Sequence, residues 1–446
     1  MTRTVVTALV AALMFVFTAG PAFAQSGDQR VEMDAKLSQT VLARQSSNQV
    51  YLDVALQPER RVSSTRVPLN IALVIDKSGS MSSSDKIGFA REAAMSIIDQ
   101  LESYDRVSIV TFDSNVQVAL PSMLASDREA IKRVIAGIST GSNTALHGGM
   151  TTGGSEIRRH YNNEFLNRVI LLSDGKANVG PSSNNQLASA ARSLGDEGIS
   201  VTTMGLGLDY NEDTMTAIAD AAGGNYYFIE SGDQMAYQFQ QELSGMMQVA
   251  ALQTTINILV APGVTVRDVY GYDFTQTGNI VSIRVGDLIG GRSLNVTALL
   301  DVDSPDAERM TVGSVALAYT DAVDGQARKL KDDLVAELSG VQEEQEKSRD
   351  MDVGARAQEV VNAEAIATAM DSYAAGNDDE AKEILSRARA ETESFNAGAG
   401  MAAAPALEAQ LDSVMMDMEE AEDDMDARGA VVKSKKAGAR SSSRGQ

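Results

Sequence analysis

Between residues 68 and 249 the chain alternates apolar runs of strand length with stretches whose apolar positions recur at helical spacing. Leu69 to Ile75 is almost unbroken apolar, the pattern of a strand buried on both faces. A helix is predicted over about 84–102, with Ile87, Ala90, Ala94, Ile97, Ile98 and Leu101 on one side. Val107 to Phe112 reads as a second strand, with a short strand from Val116 to Leu120 beside it. Asp127 caps a helix that runs to about 136, and a Gly/Ser/Thr-rich loop at 139–144 opens another. Strands follow at Arg168 to Leu172, Ser200 to Leu206 and Tyr226 to Ile229, separated by helices over about 184–196 and 211–222 and closed by one over 232–249. Regular alternation of this kind predicts an α/β fold: a doubly wound, mainly parallel sheet with helices on both faces, spanning residues 68–249.

The flanks have other rhythms. Five strand-like pieces between 250 and 325 are separated by turns such as Pro262-Gly263 and Gly290-Gly291, which predicts an antiparallel β-sandwich. The segment 25–67 holds one strand-like stretch, Val50 to Leu56, which is expected to join that sandwich. Residues 326–396 are expected to be helical, with Leu330, Leu334, Leu338 and Val341 on one face and a break at Ala375-Gly376-Asn377. Residues 397–446 are of low complexity, acidic and Met-rich to about 426 and basic after Arg428. They are expected to lack fixed structure, and the basic end reads as a solvated tail or one neutralised by its acidic neighbour, with a weak contact to an anionic surface as the alternative.

The first residues change the setting. Arg3, the apolar run from Val5 to Phe17 and the small residues up to Ala24 read as a signal peptide over residues 1–24, so the chain is expected to be exported, periplasmic or secreted. The apolar run is shorter than the roughly 20 residues that a membrane span needs, and no transmembrane segment is expected after cleavage. The chain has no Cys and two His, His147 and His160. Disulfide staples and thiolate metal sites are excluded, and a zinc site of the usual His-rich kind is disfavoured. A net charge of −23 argues against nucleic-acid binding.

Oxygen-rich chemistry gathers where the predicted parallel strands end. The first strand ends in Asp76-Lys77-Ser78-Gly79-Ser80, a later loop carries Thr144, and another strand ends in Ser173-Asp174-Gly175. The carboxyl edge of such a sheet is where α/β proteins place ligands. Ser78 and Ser80 present hydroxyls two residues apart on a loop that Gly79 allows to bend, and Thr144 adds a third. With the charge of Asp76 and Asp174, directly or through water, this makes an oxygen shell suited to Mg2+, with Mn2+ or Ca2+ as alternatives. A metal held largely by neutral hydroxyls stays electron-poor and favours a carboxylate from outside. Lys77 reads as an exposed loop residue, and His147 as a packing or capping residue near the site.

The pattern Asp76-x-Ser78-x-Ser80 with Thr144 and Asp174 resembles the metal-ion-dependent adhesion site of von Willebrand factor A domains, and the flanking arrangement is similar to exported bacterial members of that family. The resemblance implies a cation held by these five residues and a protein partner that donates an Asp or Glu. It also implies, by analogy, that the helix over 232–249 shifts when ligand binds. Two other readings stand beside it: a cell-envelope scaffold in which the metal only stabilises the fold, and a metal-dependent hydrolase. Catalysis is not expected. Ser78 stands where a haloacid-dehalogenase-type phosphatase needs its second Asp, the first turn is Ser-rich where a dinucleotide site needs glycines, and no Gly-x-Ser-x-Gly elbow is present.

Overall fold

The computed structural model describes residues 30–60, 66–399, 405–422 and 424–445. The expected signal peptide lies outside the described residues. The chain opens with β1 (Val31–Leu37), β2 (Val41–Ala43) and β3 (Ser47–Pro58). It then builds the α/β unit: β4 (Leu69–Asp76), α1 (Lys86–Gln100), β5 (Arg106–Phe112), β6 (Val116–Leu124), α2 (Arg128–Ala136), α3 (Leu146–Arg158), β7 (Leu166–Ser173), α4 (Asn184–Asp196), β8 (Ser200–Leu206), α5 (Glu212–Ala222), β9 (Tyr226–Ile229) and α6 (Gly232–Met247). Every element expected from the apolar pattern in this region is present.

The sheet runs β6-β5-β4-β7-β8-β9, with all neighbours parallel except the β5–β6 hairpin. The chain starts in the middle, winds outward to β6, returns, and winds outward again from β7. The order reverses between β4 and β7, and such a switch point opens a crevice at the carboxyl ends of the two strands. β4 is buried at every position. Its Leu69, Ile71, Leu73 and Ile75 join the core under α1 and α6, while Ala72 and Val74 face the core under α3, α4 and α5. Helix α3 lies unusually close to the sheet: a Cβ on Gly149 would meet Phe112 Cδ1 at 2.6 Å, and one on Gly153 would meet Val74 Cγ2 at 2.5 Å. Its glycines are therefore packing residues that fix where the helix begins, just after Thr144.

Seven further strands follow: β10 (Val249–Val260), β11 (Val264–Val269), β12 (Phe274–Thr277), β13 (Ile280–Ile289), β14 (Leu294–Asp303), β15 (Arg309–Asp321) and β16 (Ala327–Ser339). One sheet is β1-β3-β14-β11 and the other β12-β13-β10-β15-β16-β2, with a shared apolar core between them. The stretch expected to join the sandwich does so, pairing antiparallel with β14 from Leu56↔Leu294 to Ser47↔Asp303. The α/β unit is thus inserted between β3 and β10 of a sandwich built from the segments that precede and follow it in sequence.

Two expectations are corrected. Residues 327–339, expected to start a helical segment, form β16, whose Leu334, Ala336 and Leu338 are buried on one face. The apolar positions 330, 334 and 338 lie four apart, a spacing that fits a strand of period two as well as a helix. The helical part proper is α7 (Gln342–Lys347), α8 (Met351–Ala374) and α9 (Asp378–Ala399), with the break at 375–377 where it was expected. The tail expected to lack structure forms α10 (Pro405–Glu420) and α11 (Met425–Ser443). The cations of α11 are engaged within the chain itself: Lys436 bonds Asp213 and Asp371 at 2.8 Å each, Lys435 pairs with Asp417, and Arg440 and Arg444 with Asp220. Low complexity misled here because the partners that order a basic helix lie elsewhere in the sequence. Among the described residues no helix is long and apolar enough to cross a membrane.

Candidate metal centre

Asp76 is the last residue of β4, and Asp174 follows the last residue, Ser173, of the neighbouring β7, so parallel pairing brings the two carboxylates to the same edge at the switch point. Both are completely buried. Asp76 accepts the Ser78 backbone N–H at Oδ1 (2.8 Å) and the Ser173 hydroxyl at Oδ2. Burial pushes its carboxyl up to about 6, against these hydrogen bonds and together with the nearby charge of Asp174. A carboxylate held here without a cation is therefore in an environment that disfavours its charge.

The hydroxyls converge on the same place. Ser78 Oγ lies 3.1 Å from Ser80 Oγ, and Ser80 Oγ donates to Asp174 Oδ1 at 2.7 Å. Thr144 is held by its neighbours: its N–H donates to Asn178 Oδ1 at 2.9 Å, and its carbonyl accepts from Asn178 and Val179. Gly175 marks the centre. A Cβ built there would stand 3.1 Å from Thr144 Oγ1, 3.7 Å from Ser80 Oγ and 3.8 Å from Asp76 Oδ2, so three oxygens from two other segments surround one point that a side chain would fill. All five residues expected at the site are brought together. Ser78 and Thr144 are buried, while Ser80 is exposed and opens the cluster to solvent.

The loops that carry these groups are tied to each other. Gly79 N donates to Ser142 O (2.8 Å) and Gly141 N to Lys77 O (2.5 Å). Lys77, expected as an exposed loop residue, reaches Asp113 at 2.6 Å and is only 18% exposed. Despite burial, that ammonium and the Asn115 N–H hold the Asp113 carboxyl below its usual range. His147 sits in the first turn of α3, where its carbonyl accepts from Thr151 Oγ1.

Two contributors carry no sequence signal of their own. Ser173 orients Asp76, and Lys86, the first residue of α1, bonds Asp174 Oδ2 at 2.8 Å while remaining 14% exposed. Among the described residues no group of three or more His, Cys, Asp or Glu side chains is placed to hold a metal. The donor set here is instead two carboxylates with three hydroxyls, all oxygen, which fits a hard divalent cation and no soft one.

The family model described as the von Willebrand factor type A domain matches residues 70–242. Over 335 residues the chain is 27% identical to an uncharacterized protein of Synechocystis sp., covering 73% of this chain and 79% of that one. It is 28% identical over 184 residues to an inter-alpha-trypsin inhibitor heavy chain of Homo sapiens, which is 40% of this chain and 20% of that protein. Among solved structures, a von Willebrand factor type A protein from Catenulispora acidiphila superposes with a TM-score of 0.71 at 19% identity, over 89% of this chain and 91% of that one. An ArnB paralog from Sulfolobus acidocaldarius gives 0.63 at 20% identity, over 92% and 99%. At such identities the structural likeness speaks to the fold.

Proposed function

We propose that this chain, which carries a von Willebrand factor type A domain over residues 70–242, is an exported binding module that uses a divalent cation, Mg2+ foremost, to engage an acidic group on a protein partner. The observation that carries the reading is the convergence of Asp76, Ser78, Ser80, Thr144 and Asp174 around the small space at Gly175. When bound, the cation supplies a Lewis-acidic bridge to a carboxylate. The chain's own residues do the rest. Asp76 and Asp174 provide charge from the buried floor, Ser173 orients Asp76, Lys86 sets a positive charge against Asp174, and the exposed Ser80 leaves the cluster open toward an incoming partner. Each carboxylate is already engaged, Asp76 by the Ser78 N–H and the Ser173 hydroxyl and Asp174 by Ser80 and Lys86, which supports a site that holds a cation. The reading of an exported location rests on the sequence of residues 1–24.

Calorimetric titration with MgCl2 and MnCl2 tests the metal, and crosslinking in cell-envelope extract with and without chelator tests the partner. The expected result is one metal site lost in Asp76→Ala and Ser80→Ala, with capture lost under the same conditions. Capture indifferent to chelator and to both substitutions would remove the reading.

A further inference from the structure

Far from the metal centre, a cavity of about 1290 Å3 lies between α6, the β13–β14 turn and α11. Six cations line it: Arg60, Arg168, Arg292, Lys435, Arg440 and Arg444. Arg168 is bonded to Glu242 and Asp287, and Lys435 to Asp417. Arg60 and Arg292 form no ion pair among the described residues. Four carboxylates, Glu230, Glu242, Asp287 and Asp417, share the lining, so six cations face four anions on a chain whose net charge is −23.

The surplus is sharpest on α11. Arg440 and Arg444 both donate to one atom, Asp220 Oδ1. Arg444 is 5% exposed; it also bonds the Gly271 carbonyl at 2.8 Å and lies over the Tyr272 ring. Arg440 has Asp220 as its hydrogen-bond partner, and its Nε is buried with no partner at all. The next carboxylate, Glu212, accepts from Tyr226 and lies near Lys433 and Lys436. Burial and the adjacent Arg444 both disfavour the charge on Arg440. Two guanidiniums on one carboxylate oxygen, one with a buried orphan donor, are what remains when a counter-anion is left out of a site. A planar guanidinium is also the side chain best matched to an oxyanion.

We propose that Arg440 and Arg444 form a binding site for a small oxyanion, a phosphate or carboxylate group, whose bearer occupies this cavity. The site is separate from the metal centre and does not rest on the metal reading.

The test is titration of the full chain with inorganic phosphate and, separately, with succinate, followed by calorimetry and thermal melting at ionic strength held constant with NaCl. Wild type is expected to bind one of the two saturably and to melt higher in its presence; which anion does so assigns the ligand's headgroup. Arg440→Gln is expected to bind at least tenfold more weakly, yet to melt no lower than wild type without anion, because the surplus charge is gone. If that variant does not fold, Arg440→Lys, which keeps the charge but not the fork, takes its place and is expected to bind at least threefold more weakly. Ser80→Ala is expected to bind the anion as wild type does. Absence of any shift beyond that of NaCl, or binding unchanged in the Arg440 variant, overturns the proposal.

Discussion

Arg168 of β7 and Asp287 of β13 lie 2.6 Å apart, and this ion pair joins the parallel sheet to the sandwich. The same guanidinium bonds Glu242 of α6 at 2.5 Å, and Glu242 also accepts from Thr202, Asn225 and Tyr227. Although burial opposes it, Arg168 and these donors hold the Glu242 carboxyl below its usual range. β7 runs from this network to the residue before Asp174, so one strand connects the candidate metal centre, α6 and the sandwich. Removing Arg168 strands two buried carboxylates, a change that costs about 3–5 kcal/mol. Arg168→Met is therefore expected to lose about that much in urea denaturation, and Arg168→Met combined with Glu242→Gln to recover part of it. A loss below 1 kcal/mol would mean that the network contributes no more than a surface pair.

Lys86 sets the charge of the proposed metal centre. Its ammonium touches Asp174 Oδ2, while Ser80 takes Oδ1. A fixed cation beside a divalent ion repels it and leaves it a better acceptor for an outside carboxylate. Lys86→Met is expected to bind Mg2+ more tightly, by about tenfold or ~1.4 kcal/mol, and to capture its partner less well. Calorimetry reads the first and chelator-sensitive capture the second. Weaker Mg2+ binding in the variant would show that Lys86 chiefly holds Asp174 in place.

Gly175 separates site from fold. An added methyl would stand 3.1 Å from Thr144 Oγ1, tight but against a side chain, and would crowd the oxygens. Gly175→Ala is expected to weaken Mg2+ binding at least tenfold while changing the unfolding free energy by less than about 1 kcal/mol. Gly224→Ala is the contrast, because its methyl would lie 2.2 Å from the Val201 carbonyl oxygen, a backbone atom that cannot move aside. That variant is expected to lose about 1–3 kcal/mol with metal binding intact in the folded fraction. Equal effects of the two glycines on metal affinity would count against the placement of the site.

The α/β unit was legible in the sequence, and so were the five residues of the candidate site, because both signals are local. A strand such as Leu69–Ile75 declares itself by an unbroken apolar run, and Asp76-x-Ser78-x-Ser80 declares itself by spacing at that strand's end. What stayed hidden depends on distant partners. The register of Leu330, Leu334 and Leu338 became β16 through pairing with β15, which no local period reveals. Lys86 carries no local signal and meets Asp174 only because the fold sets the start of α1 against the end of β7. The basic tail became α11 because Asp213 and Asp220 of α5, Asp371 of α8 and Asp417 of α10 supply its counter-charges.

Glu212, at the start of α5, makes this region pH-sensitive. Burial pushes its carboxyl up to about 7, against the opposing pull of Lys436 and Lys433, with Asp213 and Tyr226 also facing it. The folded state thus binds this proton more tightly than the unfolded chain. Its contribution to stability is complete below the ordinary value of 4.5 and is lost as pH rises to about 7. At 1.36 kcal/mol per unit the full swing is on the order of 3 kcal/mol. Glu212→Gln is expected to remove that slope, so the difference in stability between wild type and variant should change between pH 4.5 and 7. A constant difference would show that Glu212 keeps its proton affinity on unfolding.

Helix α11 is held mainly by charge. Lys433 donates to the Tyr210 carbonyl at 3.2 Å and lies over that ring, Lys436 bridges α5 and α8, and Arg428 pairs with Asp378. Its fully buried apolar contribution is slight, Ala439 alone among the described residues. Partly exposed ion pairs are screened by salt, with a Debye length of about 3 Å at 1 M, whereas the apolar core of the sheet is not weakened by NaCl. Amide hydrogen exchange is therefore expected to rise several-fold in residues 425–443 between about 0.1 and 1 M NaCl, with β4 and β7 unchanged. The same release would loosen the loop after β8: Leu208 lies 3.6 Å from where a Cβ on Gly429 would be, and Gly207 packs near Lys86. Exchange in 207–211 should accordingly rise with that of α11. Protection of α11 that ignores salt would place its attachment in packing rather than in charge.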